Sequence, residues 1–323
     1  MKRITVLFLS IGFFCLVWWQ GVSQAASDYP NRAISLIVPY PAGGVTDLGA
    51  RAVAESLEKH LKQPVVVVNK TGGGTTIGGY AVASAKPDGY TLGFFPVAAA
   101  IPEAYAYFQE APYSSKDLRR ICSGVATAYT ISVKEDAPWK TLKELIEYAK
   151  KNPGMKVGTG GKQTLQSMLM TSINKTEKAG FVTVPFAGDP QNLAALLGGH
   201  TQVGAFDFSV AKSLWDAKKI RVLATVTEKR AEFAPNIPTV VEIGYPILYV
   251  SVLGINAPKG IPDEAVQKID ALVARISKEP DFQTKIHNTA LQINYQNAET
   301  YEKSLNTYRT NISNFFKEEG LVK

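Results

Sequence analysis

Residues 33–61 read AISLIV, then PYPAGGVTD, then LGARAVAESLEKHL, and this succession decides the fold. Ala33–Val38 is a short run rich in Ile and Val, the pattern of a strand buried on both faces. In Leu48–Leu61 the apolar residues Ala50, Val53, Leu57 and Leu61 follow helical spacing. Between them Pro39-Tyr40-Pro41-Ala42-Gly43-Gly44-Val45-Thr46-Asp47 must turn a strand into a helix. Glycines there let the backbone approach a guest closely, and a helix start presents unpaired N–H groups at the positive end of its dipole. A carboxylate is a natural guest. Thr46 and Asp47 have two readings, as groups that meet the guest or as caps of the helix.

The same alternation runs outward along the chain. Val65–Val68, Thr91–Phe95, Ile131–Val133, Phe181–Val184, Gln202–Phe206 and Ile220–Thr225 read as further buried strands. Helical patterns lie between and after them. Leu142–Lys151 carries a capping box of Thr141 and Glu144, Asp189-Pro190 opens a helix stopped by Gly198-Gly199, and Pro262-Asp263 opens another. A last helix begins near Glu299. Strand–helix alternation implies an α/β fold with mostly parallel sheets and helices on both faces. The 323 residues, 46% of them hydrophobic and 20% charged, suffice for two domains of ordinary size. Repeats, low-complexity tracts and linkers are absent, so the chain is expected to pass between the domains more than once.

Two more glycine-rich turns follow strands. Gly72-Gly73-Gly74-Thr75-Thr76-Ile77-Gly78-Gly79 invites a nucleotide reading that fails on spacing. Gly72, Gly74 and Gly78 stand one residue too wide for the dinucleotide fingerprint, no acid ends Thr91–Phe95, and no Gly-Lys-Ser/Thr follows. A close-packed turn with some ligand-facing backbone accounts for it better. The third, Gly158-Thr159-Gly160-Gly161-Lys162-Gln163-Thr164, offers amides and hydroxyls that would face the first turn if the two lie in separate domains. Lys162 reads either as a partner for a second carboxylate or as a surface lysine.

The N-terminus reads as an export signal over residues 1–25. Lys2 and Arg3 precede the apolar run Ile4–Trp19, and Ser23-Gln24-Ala25 supplies small residues for cleavage after Ala25. The alternative, an uncleaved anchor, needs a longer run to span a bilayer. Cys15 lies within the run, which leaves Cys122 alone and an internal disulfide impossible. The formal charge of +7 falls to +5 without Lys2 and Arg3. Its basic residues are scattered, which argues against nucleic acid, while a mild positive field helps gather anions. His60, His200 and His287 lack ligand-spaced partners, no Gly-x-Ser-x-Gly elbow is present, and Cys122 sits in an apolar strand. These absences point away from an enzyme, a metal site or a cofactor.

Taken in order, several segments resemble the Bug-type (TctC-like) substrate-binding proteins of tripartite tricarboxylate transporters, over essentially the whole mature chain. They include Tyr29-Pro30, Pro39-Tyr40-Pro41-Ala42-Gly43-Gly44 with Thr46-Asp47, Gly72–Gly78 and Pro87-Asp88-Gly89-Tyr90-Thr91-Leu92. Further on come Val184-Pro185-Phe186-Ala187-Gly188, Leu196-Leu197-Gly198-Gly199-His200, Phe206-Asp207, Ile237-Pro238-Thr239-Val240 and Ala257-Pro258-Lys259-Gly260. The resemblance implies a type II periplasmic-binding fold, with lobe one at 28–126 plus 250–323 and lobe two at 127–249. It implies a monomeric periplasmic receptor that closes on a small organic acid and hands it to transporter membrane subunits; a sensor module with the same clamp is the rival. It places Tyr40, Pro41, Ala42, Gly43, Gly44, Thr46, Asp47, Thr75, Thr76, Gly160, Gly161, Lys162, Gln163, Thr164 and Phe186 at the cleft. Asp207 is similar to the family's cleft-facing acid, which the resemblance implies would bind an amine or a bridging water, with a helix cap as its other reading. Thr76 stands where many relatives have Asn, and Gln163, Thr164 and Ser167 depart from the usual Gly-Ser and later His of the third loop. A reshaped pocket is expected.

Overall fold

The computed structural model describes residues 29–107, 110–161, 164–247 and 250–320. The expected leader, Lys162 and Gln163 lie outside the described residues. In chain order the elements are β1 (Ile34–Val38), α1 (Val45–Leu61), β2 (Val65–Asn69), α2 (Thr76–Ala83), β3 (Thr91–Pro96), α3 (Val97–Ala100), β4 (Leu118–Thr127) and β5 (Tyr129–Lys134). There follow α4 (Leu142–Lys151), β6 (Lys156–Thr159), α5 (Leu165–Glu177), β7 (Val182–Pro185), α6 (Asp189–Leu197), β8 (Val203–Asp207), α7 (Phe208–Asp216) and β9 (Ile220–Val226). The last are β10 (Val252–Pro258), α8 (Asp263–Ile276), α9 (Pro280–Asn288), β11 (Leu291–Asn297) and α10 (Ala298–Glu318).

Local chemistry sets the element ends. Thr141 Oγ1 accepts from Glu144 N at 3.1 Å while the Glu144 carboxylate takes Lys140 N–H at 2.7 Å, and α4 starts there. At the far end of α1, Lys62 adopts a left-handed conformation and its N–H returns to Glu58 O, closing the last turn.

A six-stranded sheet has the order β11-β4-β10-β3-β1-β2, and a five-stranded sheet the order β7-β6-β8-β5-β9. The first draws strands from both ends of the chain, and the second takes those in between. Strands β1, β2 and β3 run parallel, as do β6, β7 and β8. The other five pairings are antiparallel, which corrects the expectation of mostly parallel sheets. The reason is connectivity: β4 and β10 carry the chain to and from the second sheet, and β5 and β9 flank its crossing point. The expectation that every apolar run is covered on both faces also fails at the edge strand β2, where Val66 keeps 49% of its surface exposed.

Only Ala128 separates β4 from β5 where the chain leaves the first sheet. The returning segment lies beside this crossing, with Thr127 N donating to Ser251 O at 2.9 Å and the Ser251 and Tyr129 hydroxyls 3.4 Å apart. One core joins the first sheet to α1 and α8 through Leu36, Val53, Leu57, Phe94, Ile255 and Ile269. A second runs through both lobes, linking Tyr301, Leu305 and Ile312 of α10 with Ile131, Leu145 and Leu169.

Candidate functional site

The glycine-rich turns follow the C-terminal ends of parallel strands, where open α/β sheets receive their ligands. In the first turn, Asp47 is only 1% exposed and its carboxylate is fully engaged. Oδ2 accepts from Gly43 N at 2.9 Å and Arg51 Nε at 2.8 Å; Oδ1 accepts from Arg51 Nη2 at 3.0 Å and Asn69 Nδ2 at 2.9 Å. Asn69 Nδ2 also donates to Tyr40 O at 2.9 Å, so the turn is tied down at both ends. Burial pushes the Asp47 pKa up, but the hydrogen bonds from Arg51, Gly43 and Asn69 outweigh it and hold the carboxyl below its ordinary value. Asp47 is therefore a clamp within the turn, and its oxygens have no capacity left for a guest.

The Gly43 amide, expected to face a guest, is spent on that clamp. Gly43 is nonetheless required, because its φ of +80° lies in the left-handed region. The N-cap of α1 is Gly44, with no side-chain cap, so Thr46 and Asp47 do not cap the helix. Gly44 N lies 3.4 Å from Pro41 O, at the weak limit, and the first intrahelical bond is Leu48 N to Gly44 O at 2.9 Å. The amides of Val45, Thr46 and Asp47 thus form the helix's uncapped positive end. Pro41, Ala42 and Gly44 stay exposed on the turn and Thr46 is buried behind it. Tyr40 has 39% of its surface accessible, yet desolvation by the surrounding protein raises its phenol pKa.

In the second turn Gly72, Gly73, Gly74 and Thr75 all have positive φ, at 119°, 55°, 58° and 93°. For a β-branched residue that is a strained position. Thr75 is buried and its hydroxyl has no hydrogen-bond partner, whereas the Thr76 hydroxyl donates to Gly73 O at 2.9 Å and closes the turn. Side chains added at Gly78 or Gly79 would collide with Pro39 or with Tyr113.

In the third turn Thr164 caps α5, accepting from Ser167 N at 3.4 Å and donating to Gly161 O at 2.9 Å. Phe186 N donates to Thr159 O at 2.8 Å, which brings the exit of β7 against the exit of β6. Gly160 is pressed against the carboxylate of Asp189, leaving no room for a side chain.

Asp207 ends β8 and caps α7, its Oδ1 accepting from Ser209 N at 2.9 Å and Ser209 Oγ at 2.7 Å. The cap reading holds, and Oδ2 is buried with the Thr127 hydroxyl as its neighbour. Burial, aided by the neighbouring Asp189, pushes its pKa up to about 7, against the weaker pull of Ser209 and Thr127. Its own N–H donates to Asp189 Oδ2 at 2.9 Å, and burial raises the Asp189 pKa as well. Sequence reasoning read Asp189 only as a helix opener. Its signal was an acid directly behind the Phe186-Ala187-Gly188 turn.

His60 pairs with Glu279 at 2.9 Å and His287 with Glu232 at 2.8 Å, while burial raises the Cys122 pKa well above its ordinary value. Among the described residues, no three His, Cys, Asp or Glu side chains gather as a metal would require. No described helix is long and apolar enough to cross a membrane.

Two α/β lobes joined by crossing strands, with glycine-rich turns at their strand ends, define the fold of a solute-binding protein of the periplasmic type. The family described as "Tripartite tricarboxylate transporter family receptor" matches residues 49–321. A UPF0065 protein from the gbd 5' region of Cupriavidus necator is 33% identical over 281 residues, covering 86% of this chain and 85% of that one. The structure of the periplasmic binding protein BugD shares 29% identity at a TM-score of 0.73, over 91% of this chain and 99% of that one. An R. palustris protein solved with adipate has the same fold, at 24% identity and a TM-score of 0.79, over 90% and 98% of the two chains. The chain belongs to the tripartite tricarboxylate transporter receptor family, among its Bug-type members.

Proposed function

We propose that this protein is a periplasmic receptor that captures a small organic anion by closing its lobes and presents it to the membrane subunits of a tripartite transporter. The carrying observation is the uncapped start of α1, held in place by the Asp47 clamp. A preformed set of helix-start amides solvates a carboxylate without reorganising, and the helix dipole favours the negative charge. The lobes are taken as 28–126 with 250–323 and 127–249, working as a monomer. Ligand and closure are coupled, because only a guest that binds the closed form better can shift the balance toward it. That an R. palustris protein of the same fold was solved with adipate supports an organic acid as the guest.

A thermal-shift panel of mono-, di- and tricarboxylates against their uncharged amides tests the reading. A true ligand at ~100 times its dissociation constant adds roughly 2.7 kcal/mol to stability. A shift with a free acid and none with its amide is expected, with the acid recovered unchanged afterwards. Equal shifts with acid and amide would remove the carboxylate assignment, and recovery of a product would replace the receptor by an enzyme.

A further inference from the structure

The two sheets have four edge strands, and three of them are blunted against further pairing. Strand β9 is covered by the chain that follows it, with Thr225 N donating to Pro238 O at 2.9 Å and Val240 N to Thr225 O at 2.8 Å. Strand β11 changes register between Ile293 and Gln296, and β7 is four residues long and ends in Pro185. Strand β2 has none of these devices. It reads VVVVN, without charge, proline or register shift, and pairs only with β1. Pro64 O accepts from Ile34 N, and Lys70 N donates to Val38 O. The alternation of a strand therefore turns the backbone groups of Pro64, Val66, Val68 and Lys70 toward β1 and leaves those of Val65, Val67 and Asn69 facing outward. Among the described residues only the Glu58 carboxylate reaches these outward groups, 3.4 Å from Val65 N.

We propose that the free edge of β2 is a docking site for an extended segment of a partner protein, which adds a strand to the six-stranded sheet and carries acidic side chains alternating with apolar ones. A groove of about 870 Å³ runs along this edge, between residues 64–67 and the face of α1 over residues 51–62. Outward backbone groups pair with any extended chain, so the side chains beside them set the choice of partner. On the α1 side Arg51 is answered by Asp47, and Glu55 is shared by Lys59, at 3.9 Å, and Lys285. Lys62 is exposed and has no acidic partner among the described residues, so this wall favours an acid. Val65 and Val67 pack into the core that α1 shares, whereas Val66 stands on the other face with 49% of its surface exposed and favours an apolar neighbour. Successive side chains of an added strand meet the two faces in turn, which gives the alternation. The groove begins at Lys62 and Pro64, at the end of β2 remote from the glycine-rich turns, and a strand seated there leaves those turns clear.

Isothermal titration of the purified protein tests this with three capped heptapeptides: one in which glutamate alternates with valine, one with lysine in place of glutamate, and the first again with every backbone nitrogen methylated. The glutamate peptide is expected to bind one to one, at least tenfold more tightly than either of the others. Val67→Pro removes an outward N–H that β1 does not use, a change that edge strands tolerate, and it is expected to weaken the glutamate peptide tenfold or more. Lys62→Glu, an exposed position just past α1, serves as a second variant should the first unfold, and it is expected to cut the preference for glutamate over lysine at least threefold. No binding of the glutamate peptide at millimolar concentration overturns the docking site. So does an affinity that backbone methylation or a folded Val67→Pro variant leaves unchanged, and equal binding of the glutamate and lysine peptides overturns the acidic partner. Self-association of the protein that Val67→Pro abolishes would give the edge to a second copy and overturn the proposal as well.

Discussion

At the residue scale, Gly44 separates binding from stability. Its backbone is extended, at φ −77° and ψ 165°, and an added Cβ would stand 3.4 Å from Pro41 O. Gly44→Val is therefore expected to change stability by less than ~1 kcal/mol. The branched side chain would screen the amides of Val45 and Thr46, so affinity for a carboxylate should fall tenfold or more by titration. Equal losses in stability and affinity would show that the turn holds the fold rather than the guest. Asp207 carries a different test. Its folded pKa of about 7 lies above the ordinary value of 3.8, so the folded state keeps a proton that the unfolded chain has released. The contribution of Asp207 to the stability of the free protein should accordingly decline as pH rises from 4 through 7, by on the order of 3 kcal/mol, and then level off. Asp207→Asn is expected to flatten that decline, in chemical denaturation at pH 5 and pH 8. A buried acid that weakens the empty protein near neutrality is the kind of site retained for its guest.

At the scale of elements, the third turn and α6 are fitted to each other. Gly160→Ala would drive a methyl into Asp189 Oδ1, costing roughly 1–3 kcal/mol. In an Asp189→Ala background the same change should cost much less, and a double-mutant cycle measures the difference. Strand–helix succession was legible from the sequence wherever an apolar run or a helical stripe was complete within ten to fifteen residues, as in β1, α1 and α4. Strand β11, LQINYQN, was missed because a polar edge strand is specified by its long-range pairing with β4, not by its own composition. The mixed sheet direction was equally invisible, since it depends on where the chain crosses. Of the acids at these turns, Asp47 and Asp207 were singled out in the sequence as cleft candidates, and Asp189 was not. Asp47 works through Asn69, and Asp189 through Gly160, partners that only the fold brings near.

At the scale of the molecule, closure is the behaviour to measure. Small-angle scattering should show a smaller radius of gyration when the identified ligand is added, and no change with a non-binding analogue. The ion pair of Lys175 with Glu319, at 3.2 Å, ties α5 to the chain just past α10, but it is solvent-exposed. Removing it by Glu319→Ala should alter stability by less than ~1 kcal/mol. The single residue between β4 and β5 matters more. With Ala128 buried and the outgoing and returning backbones stitched by Thr127 and Ser251, there is no slack for one half to slide along the other. In the proposed closure the two halves would swing, like the leaves of a book on its spine. A swinging pair of leaves measures thickness near the spine far more strictly than at the outer margin. Discrimination between solutes should therefore be sharpest for the atoms nearest Asp207, beside that spine, and most forgiving for whatever reaches toward the open edge.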